Sequence, residues 1–350
     1  MATYFLYISI FLIVSSFAYI AQYGNDISLR ISARFICFFS MLVPAALRYE
    51  IGADYSAYIV IYAEGFPDHR QTMEPGFRAL GLLCYMIGLP PHFFIVVVSG
   101  ITYGIICFLI DRKYCFPIIL FYMMTLYLHS FNIIRMVLGM SFFLYGLQSN
   151  FNGKTKKGLI FYAVSISMHF AMSVVVLLTL LSHIKINKYL RYIVLIGVPF
   201  FLYYIVIHAM DILVLLSPRL VNYQLMIGYR TEVNTGLTLI LPAIPSIIVF
   251  LNQKHFLKIE KGDFILNINM CYVLVVIGTF FIAAFFRLST AFVFLPLFSI
   301  IYIYKYCKLR KIYHYVFFII YFAIFIRFIM TNEGIGAEIN PYRSIFSSFL

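Results

Sequence analysis

Apolar residues run along this chain in long blocks, separated by short polar stretches. Crossing the hydrocarbon layer of a bilayer takes about 20 predominantly apolar residues in a helix. By that measure the pattern predicts spans near 2–21, 29–47, 92–110, 115–131, 133–149, 190–210, 236–252, 264–285, 288–304 and 313–330. Two pieces fit less well. Residues 77–89 are too short for a crossing and end at Gly88-Leu89-Pro90-Pro91, which reads as a re-entrant or interfacial helix. Residues 158–182 read either as one span or as a tight hairpin with His169 near its tip. The expected fold is all-α, a polytopic integral membrane protein of about 10–12 transmembrane helices counting the short or re-entrant ones. Neither an internal repeat nor a low-complexity linker interrupts it, so a single transmembrane domain over 1–350 is expected.

Composition agrees with the pattern. Of 350 residues 63% are hydrophobic and only 11% charged, against about a quarter charged in soluble domains. Mean hydropathy is +0.95. The six cysteines lie in or beside apolar runs without metal spacing or pairing, so neither a disulfide framework nor a metal site is expected. No Lys or Arg precedes the first apolar run, which therefore reads as a span and not as a signal peptide. The net charge of +13 suggests nucleic acid until its distribution is seen.

With the loops at 22–34, 111–114, 150–157, 183–191, 253–263 and 305–312 on one side, that side holds every lysine of the chain. The positive-inside rule makes it cytoplasmic. The opposite face then carries Arg but no Lys, among them Arg48, Arg78, Arg135, Arg287 and Arg343, together with Glu50, Asp54, Glu64 and Glu74. Lysine on the cytoplasmic side orients the chain, whereas arginine alone on the outer side suits planar, bidentate recognition of phosphate or carboxylate.

The outer polar residues concentrate in the loop 48–78, with a second outer loop expected at 211–235. If 54–64 is helical, Asp54, Tyr58 and Tyr62 share one face at i, i+4, i+8. Further candidates follow along the chain. Asn132 and Arg135 bracket the outer corner between two spans, and a rim Arg must be satisfied. His169 sits among small residues in SISMHFAMS, where a proton acceptor would work near neutral pH. His92, His129 and His208 carry less weight. Arg287 lies at a span boundary, and Pro341-Tyr342-Arg343 offers a short rigid turn able to fold back over the outer face. A phosphate-binding glycine loop, a GxSxG elbow, an HExxH helix and a DxD pair are all missing, so any group transfer points to a lipid-linked donor and not a soluble nucleotide.

Read in order, Arg48, Gly52-Ala53-Asp54-Tyr55, Tyr58, Glu74-Pro75-Gly76-Phe77, Asn132 with Arg135, His169, Arg287 and Pro341-Tyr342 resemble the EpsG/Wzy group of bacterial polysaccharide polymerases. Met136 departs from that pattern, which commonly has Gln there. The resemblance implies a metal-independent, cofactor-free glycosyltransferase of the bacterial inner membrane, with its site on the periplasmic side. It would polymerise undecaprenyl-pyrophosphate-linked repeat units into O-antigen or a related surface polysaccharide. Membrane lipids surround such a protein; a flippase and a chain-length regulator are implied partners, and nucleic acid is not. Arg135 and Arg287 are expected to hold the pyrophosphate with help from Arg48, and Asp54, Glu74 or His169 to take the acceptor proton. Tyr55, Tyr58 and Tyr62 are expected to stack on sugar rings, with Asn132, Tyr342 and Arg343 also on substrate. A lipid-linked-sugar transporter or flippase would need access from both sides, and a glycan acyltransferase would need a catalytic His reachable from the cytoplasm. A non-catalytic scaffold would be expected to pair off its buried arginines.

Overall fold

The computed structural model describes residues 2–52, 54–65, 73–216, 240–279, 284–295, 299, 303, 310–331 and 339–346. Among these the protein is all-α. Five helices are long and apolar enough to cross a membrane: Ala2–Tyr23, Ile27–Leu47, Pro91–Leu109, Gly262–Thr279 and Ile312–Met330. The chain forms two compact units, one of Met1–Val176 with Tyr321–Leu350 and one of Leu177–Ile320.

The first unit is an array of helices that change direction at short corners. α1 (Ala2–Tyr23) packs on α2 (Ile27–Leu47), whose first turn is capped by Asp26 accepting from the Leu29 N–H at 2.9 Å. The short α3 (Tyr55–Ala63) follows. α4 (Pro75–Met86) and α5 (Pro91–Gly104) both begin with a proline, whose missing N–H costs nothing in a first turn. With 12 residues α4 is too short to cross, as its sequence predicts, and it stops at Gly88 with φ +76°. α5 continues through a π turn at Ile105–Leu109.

The expected span at 115–131 is shorter in the structure. α6 (Cys115–Thr125) ends where Tyr127 turns its hydroxyl onto the Met41 carbonyl, and a 3-10 turn at His129–Phe131 completes the rise. α7 (Ile134–Phe151) and α8 (Thr155–Met168) form the closest pair in the unit. Small residues face each other there, and the Ser165 hydroxyl donates to the Gly139 carbonyl at 2.6 Å. The break expected at His169 is present, between α8 and α9 (Ala171–Leu181). It is not a closed hairpin, because α8 spends its packing face on α7.

One end of this unit gathers the last turn of α2, all of α3, the starts of α4, α5 and α7, the end of α8 and the segment 339–346. The other end holds the polar corners around Gln22, Arg112 and Asp111, with Lys113 and Lys154–Lys157 beside them.

In the second unit α10 (Lys188–Leu216) runs unbroken through Pro199. α11 (Ile244–Leu251) and α12 (Gln253–Phe256) lead into α13 (Gly262–Thr279). Arg191 fixes α10 to α13, donating to Asn267 at 2.9 Å and pairing with Asp263 at 2.5 Å. Asn267 in turn donates to the carbonyls of Ser182 and Ile184. α14 (Ala284–Ala291) follows, and α15 (Arg310–Thr331) belongs to the first unit from Tyr321 onward.

Candidate active site

The site is built at the end of the first unit where α2 stops. Arg48 leaves the helix with extended backbone, and at Gly52 the chain takes φ +93°. A Cβ at Gly52 would lie 2.4 Å from the Phe131 carbonyl oxygen, so glycine alone lets this turn seat against the 131–132 corner. The buried Asn132 completes the joint by accepting the Asp54 N–H at 3.0 Å. Asn132 thus positions the start of α3.

The inward face of α3 is Tyr55, Tyr58 and Tyr62, and Asp54 takes the N-terminal cap position, where its carbonyl accepts the Tyr58 N–H at 3.1 Å and keeps the i, i+4 relation expected from the sequence. Tyr62 donates to the Leu89 carbonyl at 2.7 Å and stacks on Phe94, while Tyr58 packs against Phe77. These rings are buried supports in this state.

Arg135, in the first turn of α7, uses two nitrogens on this framework. Its Nε donates to the Tyr58 hydroxyl at 3.1 Å and its Nη1 to Glu74 Oε2 at 2.9 Å. The guanidinium also lies over the rings of Tyr58 and Phe77. The other oxygen of Glu74 meets His169 Nδ1 at 2.9 Å and accepts the Phe170 N–H at 3.3 Å. Gly76 makes this meeting possible. A Cβ there would fall 2.3 Å from the Ser167 hydroxyl, so α4 reaches α8 only through the bare glycine, and Pro75 sets the angle at which Glu74 enters.

The electrostatics assign the protons. Burial opposes the charge of Glu74, but the hydrogen bond from His169 and the nearby Arg135 overcome it and hold the carboxyl at about 2. An ionised carboxylate only accepts, so His169 presents an N–H at Nδ1 to Glu74 and turns Nε2 away from it. His169 is one-quarter exposed. The result is a histidine oriented by a carboxylate, itself fixed by an arginine, which is the arrangement of a positioned general base.

Arg48 lies behind this corner in a different setting. Its side chain is 1% exposed, and no carboxylate pairs with it among the described residues. Nε and Nη1 are buried without a hydrogen-bond partner, and the guanidinium rests 4.9 Å from the Phe131 ring centre. The surrounding dipoles are the hydroxyls of Tyr7, Tyr55, Tyr103 and Tyr127, and burial pushes the guanidinium pKa down. A buried cation without a counter-charge costs several kcal/mol. Tyr55 donates its hydroxyl to His92 Nδ1 at 3.0 Å, since His92 Nε2 must donate to the Ala46 carbonyl.

The other expected site residues separate. Tyr342 is brought in, with its hydroxyl on the Pro44 carbonyl at 2.8 Å. Arg343 is more than half exposed and lies 3.8 Å from Glu50. The side chain of Arg287 lies outside the described residues, as does 217–235 of the loop expected at 211–235, whose first residues, 211–216, belong instead to α10. His92 carries a role its sequence setting does not single out: one His after Pro90-Pro91 gives no hint of two partners far away in the chain. Gly76, as a close-approach position, was legible only as part of a turn-like Glu-Pro-Gly.

Residues 31–344 match the sequence model of the EpsG family. The chain belongs to the EpsG family. The matched stretch contains Arg48, Glu74, Arg135 and His169, and membership makes the chain a polysaccharide-polymerase-like membrane protein. Comparison with curated proteins and with solved structures gave no match.

Proposed function

We propose that this EpsG-family member is a membrane glycosyltransferase that joins undecaprenyl-diphosphate-linked oligosaccharide repeat units on the outer face of the bacterial inner membrane. The observation that carries the reading is His169 held by Glu74, with Arg135 on the other carboxylate oxygen. In the step, a hydroxyl of the incoming repeat unit attacks the anomeric carbon of the growing chain. Its proton passes to His169 Nε2. The bond from that carbon to the diphosphate oxygen breaks, and the electron pair leaves with the lipid diphosphate. A single displacement of this kind inverts the anomeric centre.

The leaving group is strongly anionic and calls for cations already in place. Arg48 supplies a positive charge that no carboxylate of the described residues neutralises. Arg135, with Nη1 and Nε engaged, has Nη2 left for the same purpose. The lysines support this sidedness: Lys113, Lys154, Lys156 and Lys157 lie at the end of the first unit away from His169, and the positive-inside rule favours that end for the cytoplasm. A flippase that delivers the repeat unit and a regulator of chain length are the partners proposed for it.

The test is a deletion strain whose surface glycan is resolved on a gel. Loss of the ladder with retention of a single repeat, restored by the wild-type gene but not by His169→Ala at equal membrane level, supports the reading. Absence of the single repeat as well moves the lost step to transport. An unchanged ladder sinks both.

A further inference from the structure

We propose that the C-terminal segment 339–346 and His92 form a strap that positions Arg48, with Tyr342 and His92 as positioning residues acting through it. The starting point is the end of α2. A helix leaves its last four carbonyls without intrahelical partners, and here these belong to Pro44, Ala45, Ala46 and Leu47. Three of them are satisfied from far away in the chain. Pro44 accepts the Tyr342 hydroxyl at 2.8 Å, Ala46 accepts His92 Nε2 at 2.5 Å, and Leu47 accepts the Ile345 N–H at 2.9 Å.

The pairing continues through Arg48 itself. Arg48 and Ser344 form an antiparallel bridge, and the Tyr49 N–H donates to the Arg343 carbonyl at 2.9 Å. The strap is tied at its other edge to α1. Tyr7 donates to the Ile339 carbonyl at 3.0 Å, Asn340 donates to the Tyr4 hydroxyl at 2.9 Å, and the Tyr342 N–H donates to Thr3 Oγ1 at 3.0 Å. The Tyr342 ring also meets Tyr7 edge-on.

This density of bonds falls on a residue that otherwise has reason to leave. Arg48 is a buried cation without a counter-ion among the described residues, placed where a helix has just ended. A small change of backbone angle there would carry the guanidinium toward water, which the unpaired charge favours. The strap removes that freedom by fixing the backbone on both sides of Arg48. His92 adds a second hold, joining the end of α2 to Tyr55 of α3 through its two ring nitrogens. A tail that merely covered α1 would have no need to cap α2. The functional meaning rests on the polymerase reading, in which the charge of Arg48 serves the departing diphosphate; the positioning itself needs no catalysis to be measured.

The experiment is phenylglyoxal labelling of the full-length protein in detergent, with each arginine followed by mass spectrometry. In the wild type Arg48 should react slowly and the exposed Arg112 quickly. In Tyr342→Ala the Arg48 rate should rise by about tenfold as local opening becomes easier, with buried Arg191 still protected as the control for folding. If Arg191 also becomes reactive, Tyr342→Phe decides, since it keeps the ring and loses only the bond to Pro44; a rise of about threefold at Arg48 with Arg191 protected is then expected. Arg48 unchanged in the variants, or as reactive as Arg112 in the wild type, overturns the strap. On the glycan gel, Tyr342→Ala should fall to the level of Arg48→Gln, and the double variant should lose nothing more. Labelling that behaves as expected beside an unchanged ladder keeps the strap and removes the polymerase reading.

Discussion

Arg48 and Arg191 are both 1% exposed, yet they are built oppositely. Arg191 lies in the second unit with Asp263 at 2.5 Å and Asn267 at 2.9 Å, and Asn267 holds the preceding corner by two carbonyls. Its charge is matched and its bonds tie helices together. Arg48 has tyrosine hydroxyls and a phenyl ring around it and, among the described residues, no carboxylate and two nitrogens without a partner. A buried arginine is therefore not one kind of object. Where the fold balances the charge, the residue is a fastener; where no described carboxylate does, the proposed reaction gives the charge a departing diphosphate to meet.

The largest expected effect separates the two in activity. Arg48→Gln should lower polymer formation by about 10²-fold or more at equal protein level, as loss of a preorganised charge does. Arg191→Gln should leave the rate per folded molecule within about threefold. Both are read from initial rates of ladder growth in membranes.

Stability should reverse the order. Arg191→Met strands Asp263 and unties Asn267, at a cost of about 2–3 kcal/mol in thermal unfolding. Arg48→Met removes an unmatched charge and should be neutral to within about 1 kcal/mol, or stabilising. Equal losses in the two variants would erase the distinction between fastener and reserved charge.

The matched ion pair in the first unit offers a third comparison. Gly76→Ala puts a methyl group against Ser167 and pushes Glu74 away from His169. About 1–3 kcal/mol of stability should be lost, with a rate loss of about tenfold from misplacement. The smallest effect is in acid. The Glu74 carboxyl is held at about 2, below its ordinary value of 4.5. A depressed carboxyl contributes stability above the unfolded value and loses it as pH falls toward the folded one. The melting-temperature gap between wild type and Glu74→Gln should thus be full at pH 6 and shrink between pH 4.5 and 2.

Much of this was legible in the sequence, and for physical reasons. Membrane-crossing helices such as 2–23 and 91–109 announce themselves because lipid tolerates little else. Glu74, Arg135 and His169 stood out as polar groups in an apolar chain, and they do converge. Which of them pair was not legible, since their contacts join residues 61 and 95 positions apart. The shared face of Tyr58 and Tyr62 was legible as an i, i+4 pair, but that it turns toward Phe77 and Phe94 of later helices was not. The early end of α6 also escaped, because hydropathy cannot register a tyrosine that leaves the helix for a distant carbonyl. The fastener at Arg191 was not singled out in the sequence, because Asp263 and Asn267 lie 72 and 76 positions further along the chain.

The most direct measurement uses purified protein in liposomes with a synthetic undecaprenyl-diphosphate-linked repeat unit. Wild-type protein should lengthen the glycan and release one lipid diphosphate per bond formed, and His169→Ala should slow both together by about 10²–10⁴-fold. Lengthening at the wild-type rate with His169→Ala would contradict the site assigned here, and movement of the intact lipid across the bilayer without any new glycosidic bond would contradict the reaction.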